Sequence, residues 1–159
     1  PTERRADLAP LARVLVARRL RPGEVLWRQN DVPADSCALL VRGRLRSTVE
    51  DEAGTVEVLD ADAAATAARG HPVGFVGAFA FLADAPRTTT VANFYVGGDA
   101  ARGTPEETLV YLLDAAAFAE LRRDHPLQAY LLAKAALDDL GDRAMHVSNR
   151  IIETKCLPV

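Results

Sequence analysis

The sequence predicts a mainly β fold, a barrel or jelly roll, with helices at both ends and the longest helix last. Between Arg21 and Asp114, short apolar runs are separated by Gly, Pro, Asn and Asp, the punctuation of an antiparallel sheet. Before residue 21 and after residue 114 the apolar spacing lengthens to three and four residues, which is helical. A chain of 159 residues with 49% hydrophobic and 26% charged side chains suits a single folded domain, residues 1–159, with one core.

In residues 5–20, Leu8, Leu11 and Leu15 recur at helical spacing. Asp7 is placed to cap and Pro10 falls in the first turn, so the pattern predicts a short N-terminal helix over 5–20. Pro22-Gly23 turns the chain into "EVLWRQ", and Asn30-Asp31 turns it again, Asn being a residue that tolerates left-handed backbone. "CALLVRGRLRSTVE" (37–50) reads as two strands about Gly43, and Glu52, Ala53 and Gly54 lead into "TVEVLD". The Ala-rich segment 60–72 reads as a helical turn or an ordered loop. The polar, Gly-rich segment 96–107 reads as an exposed loop. "TLVYLLD" (108–114) is the last strand, so the roll is expected over 21–114.

Helices are expected over 115–155. Asp114 can cap "AAAFAELRRD", which His125-Pro126 ends. From about Leu127 to Thr154, Tyr130, Ala133, Leu137, Leu140, Ala144, Val147 and Ile151 alternate three and four residues apart, a heptad-type stripe. Gly141 inside it costs about 1 kcal/mol relative to Ala. Such a stripe exceeds what one face of a roll needs. It is expected to pack on a second copy or a neighbouring domain through Tyr130, Leu137, Leu140, Val147 and Ile151, the alternative being that it lies on the roll.

Composition excludes several classes of function. A formal net charge of −3 argues against a general nucleic-acid binder. No apolar run reaches the length of a membrane span and no secretory signal opens the chain, so no direct membrane insertion is expected. Cys37 and Cys156 match no metal spacing and read as free thiols, which favours a reducing compartment. Cys37 sits in an apolar strand pattern, the signature of core rather than of a nucleophile. The histidines, His71, His125 and His146, fall in a loop, before a proline and on the last helix, so no metal centre is expected. Ser36, Ser47 and Ser148 lie in no Gly-x-Ser-x-Gly context. The expectation is a protein that is not an enzyme. The chain opens on Pro1 without Met, which predicts a piece excised from a larger parent.

The stretch that carries chemistry is "GFVGAFAFLADAPRTTTV" (74–91). Gly77 allows a close backbone approach to a ligand, and a short helix after it would aim free N–H groups at an anion. Arg87 supplies a planar fork able to hold two phosphate oxygens, and Thr88 and Thr89 supply hydroxyls. An arginine after proline in a loop is more ordinarily a solvated or ion-paired residue, and Asp84 is near enough to pair with it.

The order of short helix, strands, glycine loop with arginine, and two helices resembles the cyclic-nucleotide-binding domain family over nearly the whole chain. "RPGEVLWRQNDVPADS" (21–36) looks like the opening strands of that family, "LLVRGRLRS" (39–47) like the next hairpin, and "LVYLLDAAAFAELRRDHP" (109–126) like its last strand and following helix. The phosphate cassette of the family begins Phe-Gly-Glu and continues to Pro-Arg, a small or hydroxyl residue, Ala, Thr and Val. Here Gly77 and Pro86-Arg87 match, and the ligand set that the resemblance implies is Gly77, Ala78, Phe79, Arg87, Thr88 and Thr89. Thr88 directly after the arginine is similar to the ion-channel branch. The departure is Ala78, which stands where the family's glutamate accepts a hydrogen bond from the ribose hydroxyl. Losing such a charge-assisted bond costs roughly 1.5–3 kcal/mol, or roughly ten- to a hundredfold in affinity. Phe79 and Phe81 are also bulkier than is usual in the family, and either narrow the pocket or fill the core.

The resemblance implies a β-roll and a non-catalytic cytoplasmic regulatory or assembly module, with weak or absent binding of cAMP or cGMP and no other cofactor. The alternative is a working sensor of cAMP, cGMP or another small anion anchored by Arg87. On sequence grounds Arg87→Ala separates the two, abolishing a ligand response while barely disturbing a docking module. No DNA-reading element follows the last helix, as one does in the regulators with this fold. "LGDRAMHVSNRIIE" (140–153) resembles the tail of nucleotide-binding-like domains that follow the STAS domain in sulfate-permease-type anion transporters, through Arg143, Asn149, Arg150 and Ile152. A transmembrane transporter is therefore the parent that this resemblance implies.

Overall fold

In the computed structural model the described residues are 7–52, 54–68, 70, 74–93 and 107–155. The chain begins with α1 (Ala9–Val14), followed by β1 (Val16–Leu20), β2 (Val25–Trp27), β3 (Ser36–Arg42), β4 (Arg44–Asp51) and β5 (Gly54–Asp62). It continues through α2 (Ala63–Ala68), β6 (Gly74–Val76), α3 (Ala78–Leu82), β7 (Thr90–Asn93) and β8 (Thr108–Asp114). Two helices finish it, α4 (Ala115–Asp124) and α5 (Pro126–Lys155).

The strands form two four-stranded sheets, β1-β8-β3-β6 and β2-β7-β4-β5, and every pairing is antiparallel. Side chains alternate across each strand, so a strand between two layers is apolar on both faces. That is why "CALL" reads as an unbroken run. Ala38 and Leu40 enter the core between the sheets with Leu20, Trp27, Leu45, Val91 and Val110. Cys37 and Leu39 face the other way, into a second core with Phe75, Leu113, Leu121, Ala129, Leu132 and Ala136. The helices pack on that second face.

The turns follow their chemistry. Gly23 and Asn30 have φ of 77° and 66°, the left-handed backbone that the Pro22-Gly23 and Asn30-Asp31 pairs suggest. Gly43 links β3 to β4 at φ 87°, and a Cβ there would lie 2.4 Å from Thr108 Oγ1 and 2.8 Å from Thr108 Cα. Only glycine fits that crossing.

The helix expected over 5–20 is corrected by the structure. Asp7 does accept a hydrogen bond from the Ala9 N–H at 2.9 Å, but the helix stops at Val14 and Leu15 is already extended. Val16 to Leu20 pair instead with Leu112 to Thr108 of β8. The helical spacing of the leucines is real, but pairing satisfies the open edge of β8 and overrides local periodicity. The roll thus begins at residue 16, not 21. Of the segment over 60–72, residues 60–62 end β5, Ala63–Ala68 form the helical turn α2, and residues 69, 71 and 72 lie outside the described set. Residues 94–106 lie outside the described set, which leaves only Glu107 of the loop read over 96–107.

Asp114 caps α4, its carboxylate accepting from the Ala117 N–H at 2.7 Å. His125, the residue before Pro126, ends that helix. Within α5 the heptad stripe is not the face that closes the core, although Leu140 of it lines the cavity beside the roll. Ala129, Leu132, Ala136 and Asp139 are buried, whereas Tyr130 is 62%, Leu137 60% and Leu140 41% exposed. The side chains of Val147 and Ile151 are outside the described ones.

Candidate functional site

The cassette leaves the first sheet at β6 and returns to the second at β7. Gly77 takes φ 70° to turn β6 into α3, and its carbonyl accepts from the Phe81 N–H at 3.2 Å. Asp84, at φ 50°, turns the chain back toward Pro86-Arg87. The backbone of Arg87 is then gripped by the Asn30-Asp31 turn. Its carbonyl accepts from the Asn30 N–H at 2.8 Å, and its N–H donates to the Asp31 carbonyl at 3.3 Å.

The side chain of Arg87 turns inward and is only 3% exposed. Nη1 donates to the Gly77 carbonyl at 3.0 Å, and Nη2 donates to the Ser36 carbonyl. The guanidinium carbon lies 4.2 Å from the centroid of the Trp27 ring, a cation–π contact. Burial pushes the guanidinium below its ordinary pKa, while Asp35 and Asp31 act to raise it. It stays charged at any physiological pH. The pairing with Asp84 that the sequence allows is not made: the hydrogen-bond partners of the guanidinium are carbonyls. Gly77 is equally enclosed, since a Cβ there would fall 2.5 Å from Trp27 Cζ2 and 2.6 Å from Arg87 Nη1.

Beside this cluster opens a cavity of about 190 Å³. Its walls include all six residues expected at the site, Gly77, Ala78, Phe79, Arg87, Thr88 and Thr89. Ala78 is partly buried, packs toward the second core and offers no acceptor. The two bulky phenylalanines divide the roles foreseen for them. Phe79 stands 57% exposed on the cavity wall, whereas Phe81 packs on Phe118 at a centroid distance of 5.5 Å.

Among the cavity residues that the sequence reading missed, Trp27, Asp139 and Arg143 bear most on its chemistry. Trp27 forms the wall under Arg87, and Asp139 and Arg143 enter from α5 together with Ala136 and Leu140. The Asp139 side chain is 4% exposed, and its Oδ2 accepts from Arg143 Nη2 at 2.6 Å and from the Phe75 N–H at 3.0 Å. The signal was present in the sequence: an acidic residue in register with Ala129, Leu132 and Ala136, with a basic residue four positions on.

Cys37 is confirmed as core. Burial pushes its thiol up to about 12, with Arg87 acting weakly in the other direction. Among the described residues no group of three or more His, Cys, Asp or Glu is placed to hold a metal ion.

No protein-family model matches the sequence, and a search of curated proteins finds no match. Solved structures do match. A cyclic nucleotide-binding domain from Methylobacillus flagellatus superposes with a TM-score of 0.70 at 17% identity, over 94% of this chain and 72% of that one. The c-di-GMP-responsive global regulator of Xanthomonas campestris gives 0.69 at 12% identity, over 95% of this chain and 64% of the regulator. A cAMP-binding acyltransferase from Mycobacterium smegmatis gives 0.52 at 28% identity, over 74% of this chain and 30% of the enzyme. With two antiparallel four-stranded sheets, a glycine-to-arginine cassette bridging them and a long final helix, the chain has the β-roll fold of cyclic-nucleotide-binding domains.

Proposed function

We propose that this chain is a non-catalytic regulatory or assembly module whose cavity is a degenerate cyclic-nucleotide site. One observation carries the reading: the residue that would bind phosphate is already spent. Both ends of the Arg87 fork sit on backbone carbonyls and its face lies on Trp27. A phosphate would have to break those contacts, and Ala78 returns nothing to the sugar. The names of the similar structures, a cyclic nucleotide-binding domain and a ligand-responsive regulator, support the regulatory class.

The second reading, a working sensor of cAMP, cGMP or another small anion, is favoured by the cavity itself. It is open, and Thr88, Thr89 and Arg143 line it beside Arg87. Calorimetric titration with cAMP and cGMP up to millimolar ligand tests the two. The expected outcome is no saturable heat below the millimolar range. Micromolar saturation that Thr88→Val and Thr89→Val weaken would establish the sensor. Arg87→Ala is not the clean control that the sequence suggests, because removing Arg87 takes a donor from two carbonyls and a cation from Trp27 whether or not a ligand binds.

The same proposal includes self-association through the exposed stripe of α5 and membership of a larger, cytoplasmic-facing parent. No helix of the described residues is long and apolar enough to cross a membrane. The transporter parent rests on the resemblance of residues 140–153, with "VLWRQNDVPADS" (25–36) also similar, and none of the three similar structures is a transporter by name.

A further inference from the structure

We propose that Asp139 and Arg143 form an autoinhibitory latch, in which the Asp139 carboxylate occupies the place of an anionic ligand and locks α5 shut across the cavity. This rests on the cavity being the ligand site of the preceding section, but the latch can be measured without a ligand.

Charged pairs on a long helix ordinarily face solvent and hold nothing. Lys134 and Asp138 of the same helix are such a pair, 54% and 55% exposed at the side chain. Asp139 and Arg143 differ in kind, for their side chains are only 4% and 17% exposed. A buried ion pair loses hydration and is tolerated only where further hydrogen bonds satisfy it. Here the further bond comes from another element. β6 is the edge strand of the first sheet, and the Phe75 N–H on it donates to Asp139. Phe75 is two residues before Gly77, so the carboxylate pins α5 to the root of the cassette.

The seat for the latch is built into β6. Gly74 is buried, and a Cβ on it would lie 3.4 Å from Arg143 Nη2 and 3.3 Å from Thr66 Oγ1. Glycine leaves the room into which the guanidinium folds. Asp139 and Arg143 line the cavity along with Arg87, Thr88 and Thr89. An entering anion therefore meets two arginines, both engaged, and a carboxylate that repels it. To use Arg143 it must displace Asp139, and that displacement also frees Phe75 and releases α5. Entry of an anion and movement of the helix become one event, which is the differential contact a switch requires.

Trp27 is the sole tryptophan of the chain and lines the cavity, so its fluorescence reports access. Asp139→Asn removes the charge that holds Arg143 and leaves the Phe75 N–H only a weaker amide acceptor. Arg143→Met removes the cation and leaves the buried Asp139 carboxylate uncompensated, which drives it off Phe75 toward water. Acrylamide quenching of Trp27 is expected to rise roughly twofold in both, and the Phe75 amide to exchange at least about tenfold faster in Asp139→Asn, with unchanged circular dichroism. Unchanged quenching and unchanged Phe75 protection in both folded variants would overturn the latch. If Asp139→Asn fails to fold, Arg143→Met alone decides through quenching.

Titration with cAMP separates the latch from the reading beneath it. Asp139→Asn is expected to bind at least about fivefold more tightly than the wild type, while Arg143→Met gains nothing. Raised quenching with no cAMP binding by any form keeps the latch and removes the cyclic-nucleotide site. Binding by the wild type that Asp139→Asn leaves unchanged overturns the competition between carboxylate and ligand.

Discussion

Arg87 shows how one residue can carry the chemistry of an anion site and a structural task together. Proline, arginine and threonines in a loop spell an anion site, yet the fork is used to tie Gly77 to Ser36 under Trp27. Arg87→Lys should therefore destabilise the ligand-free protein by about 1–3 kcal/mol, since one ammonium cannot reproduce the fork that spans two carbonyls and stacks on Trp27. Chemical denaturation without ligand checks this; no loss of stability would return Arg87 to a purely ligand-binding role. Gly77→Ala should cost at least about 1–2 kcal/mol from its left-handed backbone alone, and the new methyl must push Trp27 or Arg87 aside. A red-shifted Trp27 emission with a lowered Tm is the expected result. Cys37 gives a prediction in pH. Its thiol rises from 9.0 in the open chain to about 12 when folded, because burial disfavours the thiolate. The unfolded chain loses that proton first, so the contribution is complete below pH 9 and is lost as pH climbs from 9 toward about 12. Equilibrium denaturation over that range should show a smaller alkaline loss of stability in Cys37→Ala than in the wild type.

At the scale of elements, the two helices that flank the roll answer to different forces. α1 is short because Val16 to Leu20 are worth more as the edge partner of β8 than as two further helical turns. α5 is long and has two apolar faces, of which the roll uses one. The face carrying Ala129, Leu132 and Ala136 closes the second core, Leu140 borders the cavity, and the face carrying Tyr130 and Leu137 is left exposed. Leu137→Arg should accordingly leave the Tm of the fold nearly unchanged, within about 0.5 kcal/mol, while converting a self-associated chain to monomer. Sedimentation of both forms checks it, and a monomeric wild type would remove the proposed interface. The crossing of β3 and β4 over Thr108 is less forgiving. Gly43→Ala should cost more than the usual 1–2 kcal/mol of left-handed backbone, since the Thr108 main chain as well as its side chain stands where the methyl would go.

The whole molecule brings these parts together at one cavity. β2 delivers Trp27, the turn after it holds the Arg87 backbone, the cassette supplies Gly77 to Thr89, and α5 lays Asp139 and Arg143 across the opening. Each sheet contributes a wall, so a change in the cassette is felt by the helix that rests on β6. This is an arrangement suited to transmitting an occupied or empty state to whatever lies against α5. The calorimetric titration belongs at this scale, because the proposed obstacles to binding, at Ala78, at Arg87 and at Asp139, all act on one cavity.

The sequence by itself determined the layers and their punctuation. Apolar alternation, left-handed turns at Gly23, Asn30 and Gly43, and the Asp114 cap depend on contacts close along the chain or on burial that any fold of this pattern would impose. It also named the segment from Gly77 to Thr89 whose two ends line the cavity, since each residue singled out there has a local chemical reason. What only the tertiary structure decided are pairings between residues far apart in sequence. Arg87 on Ser36 and Trp27 is one, Asp139 on Phe75 another, and Val16 to Leu20 beside β8 a third. A hydrogen-bonding group in a linear sequence shows what it can bond, and the fold alone settles which partner arrives first. For Arg87 that partner is the protein itself, and its function turns on that fact.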